Sequence, residues 1–97
     1  MQFMISTTMV QKSSNITVMK FGGSSVSDIE KIKLVADRII KKWNSGKNKV
    51  VVVVSAPGDM TDELIEKAHK ITHTPDEREL DMLLSTGEQI SIALLCI

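Results

Sequence analysis

The sequence predicts an α/β fold: a partial αβα sandwich around a mainly parallel sheet. Three observations predict it. Val50–Val54 is a run of five valines without alternation, the pattern of a strand buried on both faces, as in a parallel sheet covered by helices. An earlier apolar run, Ile16–Phe21, ends at a pair of glycines. Between the two runs, apolar residues recur every three or four positions, the signature of one helix with a single apolar stripe. Strand, helix, strand at this separation is a βαβ unit, expected to cross over right-handedly.

Residues 1–15, MQFMISTTMVQKSSN, stand apart. They are rich in Ser, Thr and Met and carry one charge, Lys12. They lack the basic start and long apolar centre of a secretory signal, and the arginines of a transit peptide. They are expected to be a disordered or loosely attached extension, with the domain running over 16–97. Ile16–Phe21 is the first strand and Gly22–Val26 a turn. Ser27-Asp28-Ile29-Glu30 has the S-x-x-E form of a capping box, which starts a helix at Asp28. Ile29, Ile32, Val35, Ala36, Ile39, Ile40 and Trp43 form its apolar stripe, and Gly46 is its stop.

Lys49–Ser55 is the second strand, followed by the loop SAPGDMT. A helix over 62–71 turns Leu64, Ile65, Ala68 and Ile71 inward. Thr74, Pro75 and Glu77 form a second cap pattern, opening a helix with Leu80, Leu83 and Leu84 on its apolar face. STGEQ then reads as an interruption, with Thr86 capping a further helix, Gln89 as its box partner, and Ile90, Ala93 and Leu94 inward. That last apolar segment runs to Ile97 with no Gly, Asn or Pro stop and no basic last turn. The expectation is the N-terminal portion of a catalytic domain, truncated at its C-terminus.

Composition excludes several classes. In 97 residues, 12 basic and 12 acidic side chains give a formal net charge of zero, where a nucleic-acid binder would show a basic excess. No apolar run approaches the roughly 18 residues of a membrane span. The single cysteine, Cys96, makes no internal disulfide, and the simple reading is a reducing, cytoplasmic setting.

Ligands of open parallel sheets bind beyond the carboxyl ends of the strands. Both predicted strands end there in unusual loops. In the first, Lys20 precedes Gly22 and Gly23, whose bare backbone lets N–H groups approach an anion. Ser24 and Ser25 add hydroxyls, and the positive end of the Ser27-capped helix lies just beyond. Together these describe a phosphate cradle, although a lysine at a strand end also suits a solvated edge. Neither the P-loop pattern nor G-x-G-x-x-G is present. In the second loop, Ser55 and Thr61 offer hydroxyls to a substrate, although Pro57-Gly58 is also an ordinary turn dipeptide. Glu88 reads either as a capping residue or as a carboxylate for an ammonium group. His69 and His73 are four apart, but no H-E-x-x-H motif accompanies them, and no metal ligands are assigned.

The segments KFGGSSV, VVVVVSAPGDMTDELI and ERELDMLLSTGEQISIALL, in this order and at these separations, closely resemble the start of the aspartokinases within the amino acid kinase family. The resemblance covers about residues 16–97 and implies the N-terminal part of the amino acid kinase fold. It implies ATP-dependent phosphorylation of the side-chain carboxylate of L-aspartate, the first step towards lysine, threonine and methionine, and towards diaminopimelate in bacteria. Lys20 would be the catalytic contact to the transferring phosphate, with Gly22, Gly23 and Ser24 shaping the ATP phosphate turn. Thr61 and Glu88 would bind aspartate, Glu88 through the ammonium group, with Ser55 a weaker candidate nearby. Mg²⁺ would ride mainly on ATP. The resemblance further implies a homo-oligomer in the intact protein, no nucleic-acid or membrane partner, and a nucleotide-binding half and regulatory domains beyond residue 97. The competing expectation is a truncated, non-catalytic paralogue or interaction fragment.

Overall fold

The computed structural model describes residues 3–6, 15–46 and 49–97. Among them, one sheet has the strand order β1 (Phe3–Ser6), β2 (Ile16–Phe21), β3 (Lys49–Val54). Helices α1 (Ile29–Asn44), α2 (Met60–Ile71) and α3 (Glu77–Cys96) follow in chain order, and a 3-10 turn spans Gly23–Val26. β2 and β3 pair in parallel, from Ile16 opposite Lys49 to Phe21 opposite Val54. The α/β class and the βαβ unit of the sequence reading are therefore present, with α1 as the crossover.

Alternation along β2 and β3 sets the two faces of the sheet. Thr17, Met19 and Phe21 are buried, and Val50, Val52 and Val54 pack beside them. This face meets Ile32 and Val35 of α1, with Leu94 and Leu95 of α3 against the same cluster. Complete burial of side chains such as Phe21 and Met19 contributes about 1.5–3 kcal/mol each. The opposite face differs from expectation. Val51 and Val53 are 47% and 45% exposed, and Ile16 and Lys20 lie exposed beside them. The valine run is thus half-buried on one face and exposed on the other among the described residues, because α1 and α3 share the Met19–Phe21 side.

The helix starts shift by one or two residues from those expected. Asp28, not Ser27, caps α1: its carboxylate accepts the Lys31 N–H at 2.8 Å. The Ser27 hydroxyl donates instead to the Ser24 carbonyl, at 3.2 Å. A carboxylate is the stronger acceptor at the positive helix end, so Asp28 takes the cap. Ile32 and Val35 are buried, but Ile29, Ile40 and Trp43 stay exposed on one flank of the predicted stripe, Trp43 at 64%. Ser45, one residue before Gly46, is the C-cap.

α2 starts at Met60, and its last residue, Ile71, is exposed rather than inward. At α3, Asp76 accepts from the Glu79 N–H, displacing the expected Thr74–Glu77 box. α3 also runs unbroken through STGEQ. The hydroxyls of Ser85 and Thr86 donate back to the carbonyls of Met82 and Leu83, at 2.7 and 2.6 Å. Bonded within the helix, they have no need to end it. Ile90 and Ala93 are exposed; of the three residues expected inward, Leu94 packs against the core cluster.

Phe3–Ser6 forms a strand inside the stretch expected to be an unattached extension. Residues 1, 2 and 7–14 lie outside the described residues.

Candidate active site

The carboxyl ends of β2 and β3 lead into two loops that are joined through their main chains. The Ser25 N–H donates to the Gly22 carbonyl at 3.0 Å, closing the 3-10 turn, and buried Val26 anchors it in the core. The Ser55 N–H donates to the Phe21 carbonyl at 3.1 Å, and the Gly58 N–H to the Gly23 carbonyl at 2.9 Å. The approach is close enough to exclude a side chain at residue 23: a Cβ there would lie 2.8 Å from the Ala56 oxygen and 2.9 Å from the Gly58 oxygen. Gly58 itself turns through φ +53°, the left-handed region that glycine adopts without strain.

α3 closes the third side. The Ser91 side chain, fully buried, donates its hydroxyl to the Ser55 carbonyl at 2.7 Å. One helical turn earlier, a Cβ on Gly87 would sit 2.7 Å from the Ala56 Cβ. The pair Gly87 and Ser91 thus lets the helix backbone press on the second loop. Sequence reading missed both residues. Their signal was two small residues four apart on a helix, which marks a close approach.

These contacts place the predicted residues. Gly22, Gly23 and Ser24 form the start of the turn, and Ser55 lies half-buried beneath it with its carbonyl held by Ser91. Thr61 stands in the first turn of α2, and Glu88 follows Gly87 at the loop contact; both are half-buried. Lys20 is exposed on the open face of the sheet. Lys20 and α3, which carries Glu88, therefore lie on opposite faces of the sheet. No described residue bonds to the ammonium of Lys20, the hydroxyl of Thr61 or the carboxylate of Glu88.

The electrostatics redistribute the expected anion support. The N-terminus of α1 already holds the Asp28 carboxylate, which opposes a second anion there. The 3-10 turn, by contrast, has no side-chain cap, so its opening N–H groups remain for a ligand. The N-terminus of α2 also lacks a side-chain cap bond at Asp59. Its first turn places the Thr61 hydroxyl on the same edge, beside the carboxylates of Asp59, Asp62 and Glu63, which offset the positive helix end. The arrangement offers the Lys20 ammonium, the uncapped 3-10 turn, the Thr61 hydroxyl and the Glu88 carboxylate, with Asp59, Asp62 and Glu63 nearby at the start of α2. It suits a pair of anions, one of which belongs to a molecule that also bears a cation.

A cavity of about 370 Å³ lined by Met19, Arg38, Lys41, Lys42 and Ser45 lies toward the C-terminal end of α1, away from the two loops. His69 uses its Nδ1 on the Ile65 carbonyl, at 3.0 Å. Cys96 is exposed.

The chain is similar to known proteins over most of its length. The amino acid kinase family matches residues 15–97. The aspartokinase of Geobacillus stearothermophilus is 60% identical over 80 residues, which are 82% of this chain and 19% of that protein. Aspartokinase 2 of Bacillus subtilis is 52% identical over the same coverage. The crystal structure of aspartate kinase from Synechocystis superposes with a TM-score of 0.75 at 57% identity, covering 82% of this chain and 13% of that one. The chain thus spans about a fifth of the length of the curated relatives it matches.

Proposed function

Because the chain belongs to the amino acid kinase family, we propose that it is the N-terminal part of an aspartate kinase, forming the phosphoryl-transfer edge of the catalytic domain. The reaction is transfer of the γ-phosphoryl group of ATP to the side-chain carboxylate of L-aspartate. The observation that carries this reading is the junction of the two loops, with the Gly58 N–H on the Gly23 carbonyl. It holds the glycine turn against the loop that leads into α2, which carries Thr61.

The chemistry asks little proton work of the protein. A free aspartate side chain titrates near about 4, so the nucleophile is already ionised at neutral pH. Its oxygen attacks the γ-phosphorus, the bond to the β,γ-bridging oxygen breaks, and ADP leaves. The cost lies in bringing two anions together and stabilising the charge that spreads over the transferring group. Lys20 meets that charge. The opening amides of the 3-10 turn, at Gly23 and Ser24, hold the phosphates beside Gly22. Thr61, at the uncapped start of α2, binds a carboxylate of aspartate, and Glu88 binds its ammonium group; Ser55 supports the pocket floor through its held carbonyl. No cluster of three or more His, Cys, Asp or Glu side chains able to hold a metal occurs among the described residues. Mg²⁺ is assigned to the ATP substrate, whose phosphates carry it, and no protein ligand to it is named.

The wider setting follows from the same reading: the entry step of lysine, threonine and methionine synthesis, in a cytoplasmic homo-oligomer. No described helix is long and apolar enough to cross a membrane. The chain alone is expected to lack activity, since it covers 19% of the relative it matches and the Val51–Val53 face stands open.

Glu88 gives the sharpest test of substrate class. It uses a hybrid in which residues 16–97 replace the matching segment of the Geobacillus stearothermophilus aspartokinase. Losing one partner of a hydrogen-bonded charge pair costs about 2 kcal/mol or more, equivalent to ~30-fold. Glu88→Ala in the hybrid is expected to raise the KM for L-aspartate by about that factor and leave the KM for ATP nearly unchanged. Equal loss for both substrates, or preferred turnover of L-glutamate or N-acetyl-L-glutamate by the parent hybrid, contradicts the assignment.

A further inference from the structure

We propose that Ser91 is a positioning residue: its hydroxyl, together with the bare backbone of Gly87, sets where α3 presents Glu88 relative to the loop that leads to Thr61. That this placement serves aspartate binding rests on the kinase reading.

The starting observation is a buried hydroxyl that leaves its own helix. A serine or threonine within a helix ordinarily turns back on a carbonyl of the preceding turn, as Ser85 and Thr86 do on Met82 and Leu83. Ser91 instead donates to the Ser55 carbonyl at 2.7 Å, from a fully buried position. Alanine would fill nearly the same space without taking a polar group into the interior, where each such group must find a partner. What the hydroxyl adds is a fixed distance between α3 and the second loop.

Gly87 fixes the same distance by contact. A Cβ there would lie 2.7 Å from the Cβ of Ala56, itself buried. The first loop holds Ser55 and Ala56 from another direction. The Ser55 N–H donates to the Phe21 carbonyl, and the Ala56 oxygen lies 2.8 Å from where a Cβ on residue 23 would stand. Ser55 and Ala56 are thus seated between the glycine turn and α3. Glu88 falls between the two α3 contacts, next to Gly87 and one turn before Ser91. Thr61 follows Gly58, whose N–H is tied to the Gly23 carbonyl. A shift of α3 against the loop therefore changes the separation of Glu88 from Thr61, while the bonds from Ser55 and Gly58 keep the glycine turn in place. A ligand that needs both side chains loses by the shift; one that needs only the turn does not.

The test uses the hybrid enzyme. Ser91→Ala is expected to raise the KM for L-aspartate about threefold to tenfold, the range of one lost hydrogen bond, and to leave the KM for ATP unchanged. Ser91→Cys, which keeps a weak donor in place, should lie between the two. In a Glu88→Ala background, Ser91→Ala should add nothing further to the KM for aspartate, because it acts through Glu88. Gly87→Ala should raise the same KM, and adding Ala56→Gly, which removes the opposing Cβ, should bring it back. That pair decides if Ser91→Ala does not fold. An unchanged KM for aspartate in folded Ser91→Ala, an equal rise for both substrates, or a full effect in the Glu88→Ala background overturns the proposal. So does a Gly87→Ala enzyme that is unaffected or is not relieved by Ala56→Gly. With an active parent hybrid, each of these outcomes leaves the kinase reading standing; a folded parent that phosphorylates no aspartate overturns both.

Discussion

Lys20→Ala in the hybrid enzyme is expected to lower turnover by about 10²–10³-fold while the protein stays folded. The magnitude is that of removing one pre-placed group that meets charge developing in a transition state. Stability should hold because the Lys20 side chain is exposed and has no partner among the described residues. Burial and core packing therefore lose nothing on truncation. The loss should fall mainly on kcat, since the lysine meets charge that grows as the phosphoryl group moves. Lys20→Arg should recover part of the activity by restoring charge on a different geometry. Near-normal turnover in a folded Lys20→Ala enzyme would mean that the lysine is a solvated edge charge.

Gly23→Ala is expected to damage the fold and the site together. The added Cβ would press on two backbone carbonyl oxygens at 2.8 and 2.9 Å, and neither belongs to a flexible side chain that can rotate away. The second loop must then retreat, which breaks the Gly58–Gly23 bond and the alignment of Thr61 with the turn. Overpacking of this kind costs about 1–3 kcal/mol, read as a lower midpoint in urea or thermal unfolding. Gly22→Ala is the control. A Cβ at residue 22 meets nothing within 4 Å, and φ there is −77°, so stability should be unchanged. Any fall in turnover at Gly22→Ala then reports the approach of a phosphate rather than strain. Equal stability of the two variants would contradict the close packing of the loops.

The sequence made the βαβ unit and both loops legible because they rest on local signals. Ile16–Phe21 and the valine run have strand composition, and the glycines mark the turns. What it misjudged depends on tertiary context. The valines suggested two buried faces, but the side of the sheet chosen by α1 and α3 decides which valines are covered. STGEQ looked like a helix break because Ser, Thr and Gly are weak helix formers. The break does not occur: the hydroxyls bond within the helix, and Gly87 is needed for contact with Ala56. Asp28 and Asp76 took the caps from Ser27 and Thr74 because either pattern is chemically sound, and only the backbone path selects one. At the candidate site, Gly22, Gly23, Thr61 and Glu88 were singled out from their motifs. Ser91 was not, since its role is to hold a carbonyl 36 residues away in the chain. β1 was missed because its pairing is also non-local, and four residues of mixed composition give no strand signal by themselves.

The central claim is that residues 16–97 form the phosphoryl-transfer edge of an aspartate kinase. The most direct measurement is hydroxylamine trapping of aspartyl phosphate from MgATP and L-aspartate, on the hybrid enzyme and on the 97-residue chain side by side. The account predicts hydroxamate from the hybrid at a rate within about tenfold of the parent aspartokinase, its loss with Lys20→Ala, and none above background from the chain alone. A folded hybrid that binds MgATP but forms no aspartyl hydroxamate, or one whose rate ignores Lys20→Ala, would contradict it.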